Sequence, residues 1–196
     1  MKTTVQNIKS IIANSLAVLV CMFSLPVLAQ QYTSNATTSV IKGTSTLHDW
    51  DMKSSTGNTQ ATFRVENGEI TGITALTFTV NAESLKSSKS GLDKNAYKAL
   101  NTSKHKTITY KMTSGTVSKS GSSYTIKTNG TLTIAGASKP LNLTSTATLN
   151  SDQSISVKGA TKFDMSSYGV IPPTVMMGTI KTGDSITIEY NGKLTK

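Results

Sequence analysis

The sequence predicts an all-β domain, an antiparallel sheet of about eight strands with one short helical insertion. Thr and Ser together make up 58 of the 196 residues, which favours strands with a water-facing side over helix bundles. From about Thr33 onward, short runs of alternating apolar and polar residues are separated by turn signals, the pattern of an antiparallel sheet. A charged fraction of only 15% with 4 prolines argues against disordered and coiled-coil classes.

The first 29 residues have the pattern of a signal peptide. Lys2 and Lys9 precede an apolar stretch over 11–28, and the small residue Ala29 ends it, as at a cleavage site. A membrane anchor is the alternative, but polar residues interrupt the stretch and no basic flank follows it. We therefore expect one exported domain, residues 30–196, with the periplasm as its location and the extracellular space as the alternative.

The cysteine and charge content narrows the chemistry of this mature domain. The single cysteine, Cys21, lies in the predicted signal peptide, so no disulfide, cysteine nucleophile or cysteine metal site is expected in the domain. The chain carries a net charge of +10, almost entirely from lysine, with Arg64 as the one arginine. Specific nucleic-acid readers usually depend on arginine and interleaved aromatic residues, so we expect no nucleic-acid partner. A lysine-rich face suits a solvated surface or weak attraction to an anionic membrane.

The strands follow from alternation along the chain. Residues 61–66 and 69–80 flank Asn67-Gly68, the strongest two-residue hairpin signal present. Five later runs each place apolar residues at alternate positions, which puts them on one face of a strand. These runs contain Ile108, Tyr110 and Met112; Ile126, Leu132 and Ile134; Leu141, Leu143, Ala147 and Leu149; Ile155, Val157 and Phe163; and Ile186, Ile188 and Tyr190.

Turn signals separate these runs, and one segment has helical spacing. We predict breaks at 120–121, 138–140, 150–152 and 182–184, where Gly, Pro, Ser, Asn or Asp cluster. Residues 90–93 resemble a capping box, and Leu92, Ala96 and Leu100 recur at helical spacing. We therefore predict a short helix over 92–101, inserted between two strands.

An antiparallel sheet of this size with one apolar face forms either a sandwich or a closed barrel. A closed eight-stranded barrel is just wide enough to be filled by side chains or to hold one small ligand. Alternation alone leaves both choices open.

Catalytic chemistry has few candidate residues. His48, Asp49, Trp50 and Asp51 form the densest polar cluster, but in an extended strand the histidine and the acids point to opposite faces unless the chain turns there. A structural histidine, a ligand contact, and a catalytic or metal-binding role for His48 are the alternatives. We expect no enzymatic activity, no metal and no cofactor.

Two apolar features suggest packing at an end of the sheet. Trp50 is the sole tryptophan, and it serves either as a core anchor or as part of a cavity wall. The glycine-flanked segment 168–178 is apolar and contains Pro172-Pro173, which excludes regular ladder pairing. It either covers an end of the sheet or forms a Met-rich lip that adapts to an apolar ligand.

Several motifs together resemble the YceI-like family of exported, lipocalin-like proteins. They are Gly43-x-Ser45-x-Leu47-His48-Asp49-Trp50, the run Thr131 to Leu141 with Gly136 and Lys139-Pro140, the element Tyr168-Gly169 followed by Pro172-Pro173-Thr174, and Gly178-x-Ile180-Lys181-Thr182-Gly183-Asp184. Residues 84–105 also resemble that family's helical insertion. The resemblance covers nearly the whole mature chain, in the same order.

The resemblance implies an eight-stranded antiparallel, lipocalin-like β-barrel with a long apolar cavity for an isoprenoid, a quinone, a fatty-acid-like lipid or another long-chain amphiphile. The cavity candidates, chosen by alternation, are Trp50, Phe63, Phe78, Tyr110, Met112, Leu132, Ile134, Leu143 and Phe163. The candidates for the mouth or lid are His48, Met165, Tyr168, Met176 and Met177. Asp164-Met165-Ser166-Ser167 stands where relatives carry an acid and arginine pair, so no headgroup contact is transferred from them.

The leading interpretation is a non-enzymatic protein that transports or stores such a lipid, with possible weak contact to an anionic membrane surface. The alternative is a filled barrel that acts as a secreted stress-related or interaction module, with no small-molecule ligand and an unknown protein partner. An enzyme that uses His48 with Asp49 or Asp51 is the third hypothesis.

Overall fold

The computed structural model describes residues 29–196. Residues 1–28 of the predicted signal peptide, including Cys21, lie outside the described residues. Nine antiparallel strands make up most of the fold. They are β1 (Ala29–Ser45), β2 (Trp50–Glu66), β3 (Glu69–Asn81), β4 (Thr107–Ser120), β5 (Ser123–Ile134), β6 (Ala137–Leu149), β7 (Ile155–Asp164), β8 (Thr174–Val175) and β9 (Ile180–Leu194).

Eight long strands close into a barrel. Each strand from β1 to β6 pairs with the next, β7 pairs with β9, and β9 returns to pair with β1, for example through Ile41 and Ile188. The two-residue strand β8 pairs with the start of β9 and, within residues 29–196, with no other strand. The predicted eight-stranded antiparallel barrel is thus confirmed, and the sandwich is excluded.

Helix α1 (Ser90–Leu100) lies between β3 and β4, which confirms the predicted insertion. It ends at Asn101, whose left-handed φ of 51° suits a residue that closes a helix. The predicted capping box is wrong, because Lys89 is the N-cap and makes no side-chain cap bond. Asp93 instead accepts hydrogen bonds from the backbone N and the Oγ of Ser87, at 2.8 and 2.7 Å. Within residues 29–196 no helix has the length and hydrophobicity needed to cross a membrane.

The predicted hairpin at Asn67-Gly68 is present, whereas two other predicted turns are wrong. Both hairpin residues have positive φ, 51° and 76°, as a tight two-residue turn requires. The predicted break at 138–140 lies inside β6, and the turn is at Ala135-Gly136, with φ of 49° and 82°. Pro140 is tolerated there because β6 pairs with β7 only over 145–149, so among residues 29–196 one edge of its first half has no ladder to interrupt.

The predicted break at 182–184 is also wrong, because these residues lie within β9. Their turn-like composition matches an irregularity in the β1–β9 register, between the pairs Gly43–Ile186 and Ser45–Thr182. The strand absorbs this as a bulge and continues.

One end of the barrel is filled. Tyr32 and Phe63, both almost fully buried, make an edge-to-face contact with ring centroids 5.7 Å apart. Around them packs a cluster from the ends of most strands, comprising Ala61, Ile70, Ile73, Tyr124, Ile126, Ala147, Ile155 and Leu194. This cluster closes the barrel, and we refer to it as the floor.

The opposite end is built differently. The loops 46–49, 82–106, 135–136 and 165–179 meet there, and α1 lies among them. A second, smaller cluster of Tyr110, Leu132, Ile134, Tyr168 and Val170 packs beneath these loops. We call this the open end.

Candidate functional site

An apolar cavity of about 410 Å³ occupies the barrel between the floor and the open end. This volume falls within the range of small-molecule sites, about 300–1,000 Å³. Phe63 of the floor lies at one end, and His48, Leu92 and Pro173 lie at the other. The barrel interior is therefore not completely filled by side chains.

Most of the residues that alternation predicted for the cavity lie in its wall. Eight of the nine candidates line the cavity: Trp50, Phe63, Phe78, Tyr110, Leu132, Ile134, Leu143 and Phe163. Met112 is absent from the lining and packs against both core clusters. The β4–β5 register shifts between Met112 and Ser114, and the Met112 sulfur lies against the open face of Gly115 beside Ile73. Its side chain therefore fills core rather than cavity.

The five mouth candidates separate into two groups. His48, Met165 and Tyr168 line the cavity, and Tyr168 is buried against Phe163, with ring centroids 5.0 Å apart. Met176 and Met177 lie outside the lining, at the tip of the turn between β8 and β9, and both are exposed. The apolar composition of segment 168–178 could not predict this outcome, because the backbone dihedrals of a four-residue turn determine where its side chains point.

Glycines facing the interior were missed by the sequence analysis. The rings of Trp50, Phe78, Tyr110 and Tyr190 each lie where a Cβ on a nearby glycine would be. The glycines are Gly43, Gly57, Gly130 and Gly159, respectively. Each ring thus occupies the space that a side chain on the neighbouring strand would otherwise take, close to the wall. A single glycine inside a strand pattern is the signal that could have revealed this, since it marks a close approach.

Trp50 shows the arrangement most clearly. Trp50 and Gly43 are paired residues of β2 and β1, and a Cβ at Gly43 would overlap the indole. The indole Nε1 donates a hydrogen bond to the carbonyl oxygen of Thr44 at 3.0 Å. Packing and this hydrogen bond together fix the sole tryptophan in the cavity wall near the mouth.

Helix α1 supplies part of the cavity wall, which its predicted role as an insertion did not anticipate. Leu92, Ala96, Ala99 and Leu100 line the cavity, whereas Lys94 and Lys98 are exposed. The helix is thus amphipathic, with the apolar side toward the cavity. Tyr97 anchors it, because its hydroxyl lies 2.7 Å from the carbonyl oxygen of Leu85 and donates to it.

Hydroxyl groups inside the barrel bond to one another. Thr37 Oγ1 and Thr59 Oγ1 are 2.7 Å apart, Tyr110 Oη is 2.9 Å from Thr128 Oγ1, and Tyr190 Oη is 2.8 Å from Ser145 Oγ. The expectation that Ser and Thr face water is therefore wrong at these positions. Throughout the described part of the chain, every buried side-chain nitrogen or oxygen atom has a hydrogen-bond partner. The wall consequently presents apolar surface to an occupant.

Burial raises the pKa of both tyrosines in these pairs. Desolvation is the main cause for the Tyr110 and Tyr190 phenols, since it disfavours the charged phenolate. Their hydroxyls therefore stay protonated and serve as neutral hydrogen-bonding groups.

The polar side of the mouth is formed by His48 and Lys89. The His48 Nδ1 is 2.7 Å from the carbonyl oxygen of Asp49, which can only accept, so Nδ1 carries the proton. Nε2 then accepts from the Lys89 ammonium at 3.3 Å. The chain turns at 46–49, yet the His48 ring bonds to neither the Asp49 nor the Asp51 carboxylate.

Two acids brace the elements around the mouth. The carboxylate of Asp184 on β9 accepts two hydrogen bonds from Ser166, one from its hydroxyl group and one, at 2.8 Å, from its backbone N. These bonds lower the pKa of the Asp184 carboxyl group. Asp93 holds the loop before α1 in the same way, and the bonds from Ser87 likewise lower its pKa. Within residues 29–196, no group of three or more His, Cys, Asp or Glu side chains is arranged to hold a metal ion.

The fold and cavity define a lipocalin-like class of protein, a closed antiparallel barrel with one filled end and an apolar interior. The chain belongs to the YceI-like family, because it matches the model of the YceI-like domain over residues 32–194. No curated protein sequence matches the chain.

Solved structures show the same fold at low sequence identity. A polyisoprenoid binding domain from Saccharophagus degradans has 9% identity and a TM-score of 0.61, over 85% of this chain and 98% of that one. BcnA from Burkholderia cenocepacia has 13% identity and a TM-score of 0.60, over 81% and 96%. A YceI protein from Campylobacter jejuni has 20% identity and a TM-score of 0.53, over 71% and 84%.

Proposed function

We propose that the protein binds a long-chain amphiphilic lipid of the isoprenoid type in the barrel cavity, and transports or stores it without catalysing a reaction. The observation that carries this proposal is the cavity itself, which is apolar along its length with its interior hydroxyls already paired. The structurally similar Saccharophagus degradans domain, described as polyisoprenoid binding, supports the isoprenoid class.

Burial of the apolar tail supplies the binding energy in this proposal. Each methylene removed from water contributes about 0.8 kcal/mol, so a long tail binds without a specific polar contact. The aromatic rings packed beside the wall glycines line the cavity that such a tail would occupy. The open cavity favours this function over the alternative of a filled barrel that acts only as an interaction module.

The polar end of the ligand would remain at the mouth. Lys89 and His48 line the cavity there and bond to each other, and within residues 29–196 neither bonds to a carboxylate. A ligand with an anionic or hydrogen-bond-accepting headgroup would therefore be preferred over a plain hydrocarbon.

Native mass spectrometry of the protein, purified from the compartment where it accumulates, tests this function. We expect a stoichiometric mass increment that organic extraction removes and identifies as a prenyl or acyl species. An empty protein that also takes up no long-chain lipid or quinone in titration would overturn the proposal.

We further propose that the protein is exported, with the periplasm as its location. The signal-peptide pattern of residues 1–29 supports this. The same mass measurement checks it, since a processed chain begins at Gln30.

A further inference from the structure

The exposed large hydrophobic side chains of the described residues all lie at the open end. They are Leu47, Ile171, Met176 and Met177, and Met177 is fully exposed. Two hydrogen bonds hold the Leu47 loop against the β8–β9 hairpin. Thr46 N donates to the carbonyl oxygen of Lys181 at 3.0 Å, and Thr46 Oγ1 donates to the carbonyl oxygen of Thr179 at 3.3 Å. We call these four side chains the apolar rim.

The backbone at the tip of the rim is unfavourable for the residues it contains. Met176 and Met177 have left-handed φ values of 54° and 55°, and the turn closes through a bond from Gly178 N to the carbonyl oxygen of Val175 at 3.2 Å. Asn and Gly adopt this conformation readily at the centre of such a turn, whereas unbranched apolar residues do so at a cost. The geometry of the turn therefore does not explain why two methionines stand at this tip.

Positive charge faces the same end of the barrel. The segment 82–106 carries six exposed lysines, Lys86, Lys89, Lys94, Lys98, Lys104 and Lys106, against two acids, and the other loops of this end add one charged residue, Asp49. One of those acids, Asp93, is turned toward Ser87 and Lys86. The loops at the floor end, 67–68, 121–122 and 150–154, contain one charged residue, Asp152. The charge asymmetry thus coincides with the apolar rim.

We propose that the open end docks on an anionic lipid bilayer, with the apolar rim entering the interface and the lysines of 82–106 contacting headgroups. This proposal rests on the proposed function, because docking places the cavity mouth against the source of the lipid. A bilayer suits the open end, which combines the protruding side chains of the apolar rim with the lysine charge of 82–106.

Vesicle flotation with the full mature chain tests the docking. The probes are vesicles of phosphatidylcholine alone and of phosphatidylcholine mixed with phosphatidylglycerol, at low and high salt. We expect binding to the mixed vesicles only, weakened by salt because the headgroup contacts are screened. Equal binding to both vesicle types, or no binding to either, would overturn the proposal.

Two variants divide the apolar and charged contributions. Met176→Asn/Met177→Gly replaces the tip with residues that prefer the turn, so we expect a melting temperature equal to or above wild type and about tenfold weaker flotation. Lys94→Glu/Lys98→Glu reverses charge on α1 and is expected to weaken flotation by about tenfold or more. The matched control Lys127→Glu/Lys158→Glu reverses exposed charges on the barrel wall and should weaken it much less.

Two further outcomes would overturn docking while leaving lipid binding intact. If the variants float like wild type, the rim is not the contact. If sedimentation equilibrium shows that the methionine variant instead abolishes a dimer, the rim is an interface between two copies of the chain. Lipid can also be delivered to the protein from cyclodextrin, without any vesicle. If the protein takes up this lipid but does not float with vesicles, docking alone is rejected. If the protein takes up no lipid from cyclodextrin, the proposed function is rejected.

Discussion

The glycines beneath the aromatic rings are the residues that keep the cavity open. At Gly43 the three heavy atoms nearest to an added Cβ would all belong to the Trp50 indole. A methyl group there must displace the ring from the wall, and the displaced ring loses its hydrogen bond to the carbonyl oxygen of Thr44. Since the wall is closed on the outside by the backbone, the indole moves toward the cavity.

We predict that Gly43→Ala destabilises the fold by about 1–3 kcal/mol through overpacking and shifts the emission of Trp50. Urea denaturation followed by tryptophan fluorescence measures both effects. Gly91→Ala is the matched control. Among residues 29–196, no atom outside its own helix and chain neighbours lies within 4 Å of a Cβ added at Gly91. Alanine is also favoured over glycine by about 0.5–1 kcal/mol within a helix. Wild-type stability and emission in Gly43→Ala would show that Trp50 does not depend on the glycine.

The buried tyrosines predict how stability depends on alkaline pH. Burial raises the pKa of Tyr110 and Tyr190 above the ordinary value for a tyrosine, so the unfolded chain loses these protons first as pH rises. Unfolding then releases protons, and the free energy of unfolding falls as pH increases from about 10. Urea midpoints between about pH 9 and about pH 11 measure the decline, and Tyr190→Phe should make it shallower. An unchanged slope in that variant would contradict the assignment to Tyr190.

Sequence alternation predicted which strand residues face inward but not what lies between them. It found the wall residues from Trp50 to Phe163 because a strand sends alternate side chains to one face. It did not predict that Thr37 and Thr59 pair inside the barrel, since hydroxyl side chains are compatible with either face. The exposed positions of Met176 and Met177 depend on left-handed backbone in one turn, for which methionine gives no signal.

At the scale of elements, α1 combines a cavity wall with a charged outer surface, and a single carboxylate holds its start. Asp93 accepts two hydrogen bonds from Ser87, which ties the first helical turn to the loop that carries Lys89. The barrel strands do not depend on this contact, so the helix can loosen while the barrel persists.

We predict that Asp93→Ala increases hydrogen exchange in residues 85–93 while protection in the floor strands stays unchanged. Mass-resolved amide exchange provides the measurement. Asp152→Ala is the control, because Asp152 forms a comparable network with Ser154 and Lys193 at the floor end. Exchange that rises throughout the barrel in Asp93→Ala would show that the carboxylate supports the whole fold and not the helix alone.

Turn chemistry determined which connections could be predicted from the sequence. Asn67-Gly68 was identifiable because both residues favour the positive φ that the hairpin needs. The turn at Ala135-Gly136 could not be recognised, since alanine does not favour positive φ. The turn was instead predicted at 138–140, because Pro140 is a common turn residue. Pro140 is accommodated because part of β6 has only one strand neighbour in the described part of the chain. This property arises from barrel assembly, and no local sequence pattern contains it.

At the scale of the whole molecule, stability and binding are assigned to different halves of the barrel. Phe63 is 1% exposed and packs against Tyr32 in the floor, whereas Phe78 is half-buried and faces the cavity. Truncating a ring costs most where atoms surround it on every side.

We therefore predict that Phe63→Ala lowers the free energy of unfolding by about 3–5 kcal/mol. Phe78 is only half-buried, so Phe78→Ala should lower it by only about 1–2 kcal/mol. Chemical denaturation of the two variants under identical conditions makes the comparison. Phe78→Ala should also accept a bulkier lipid tail, because it widens the cavity. Equal losses of stability would contradict the division into floor and cavity.

The central claim is that an apolar tail enters the cavity beside Trp50, and the sole tryptophan reports this directly. Titration with isoprenoid alcohols of increasing chain length, followed by Trp50 fluorescence, is the most direct measurement. We predict saturable binding at one ligand per chain, with affinity that rises with each added isoprene unit, at about fourfold for each methylene-sized group buried, until the cavity is full. Fluorescence that never saturates, or an affinity independent of chain length, would contradict binding inside the barrel.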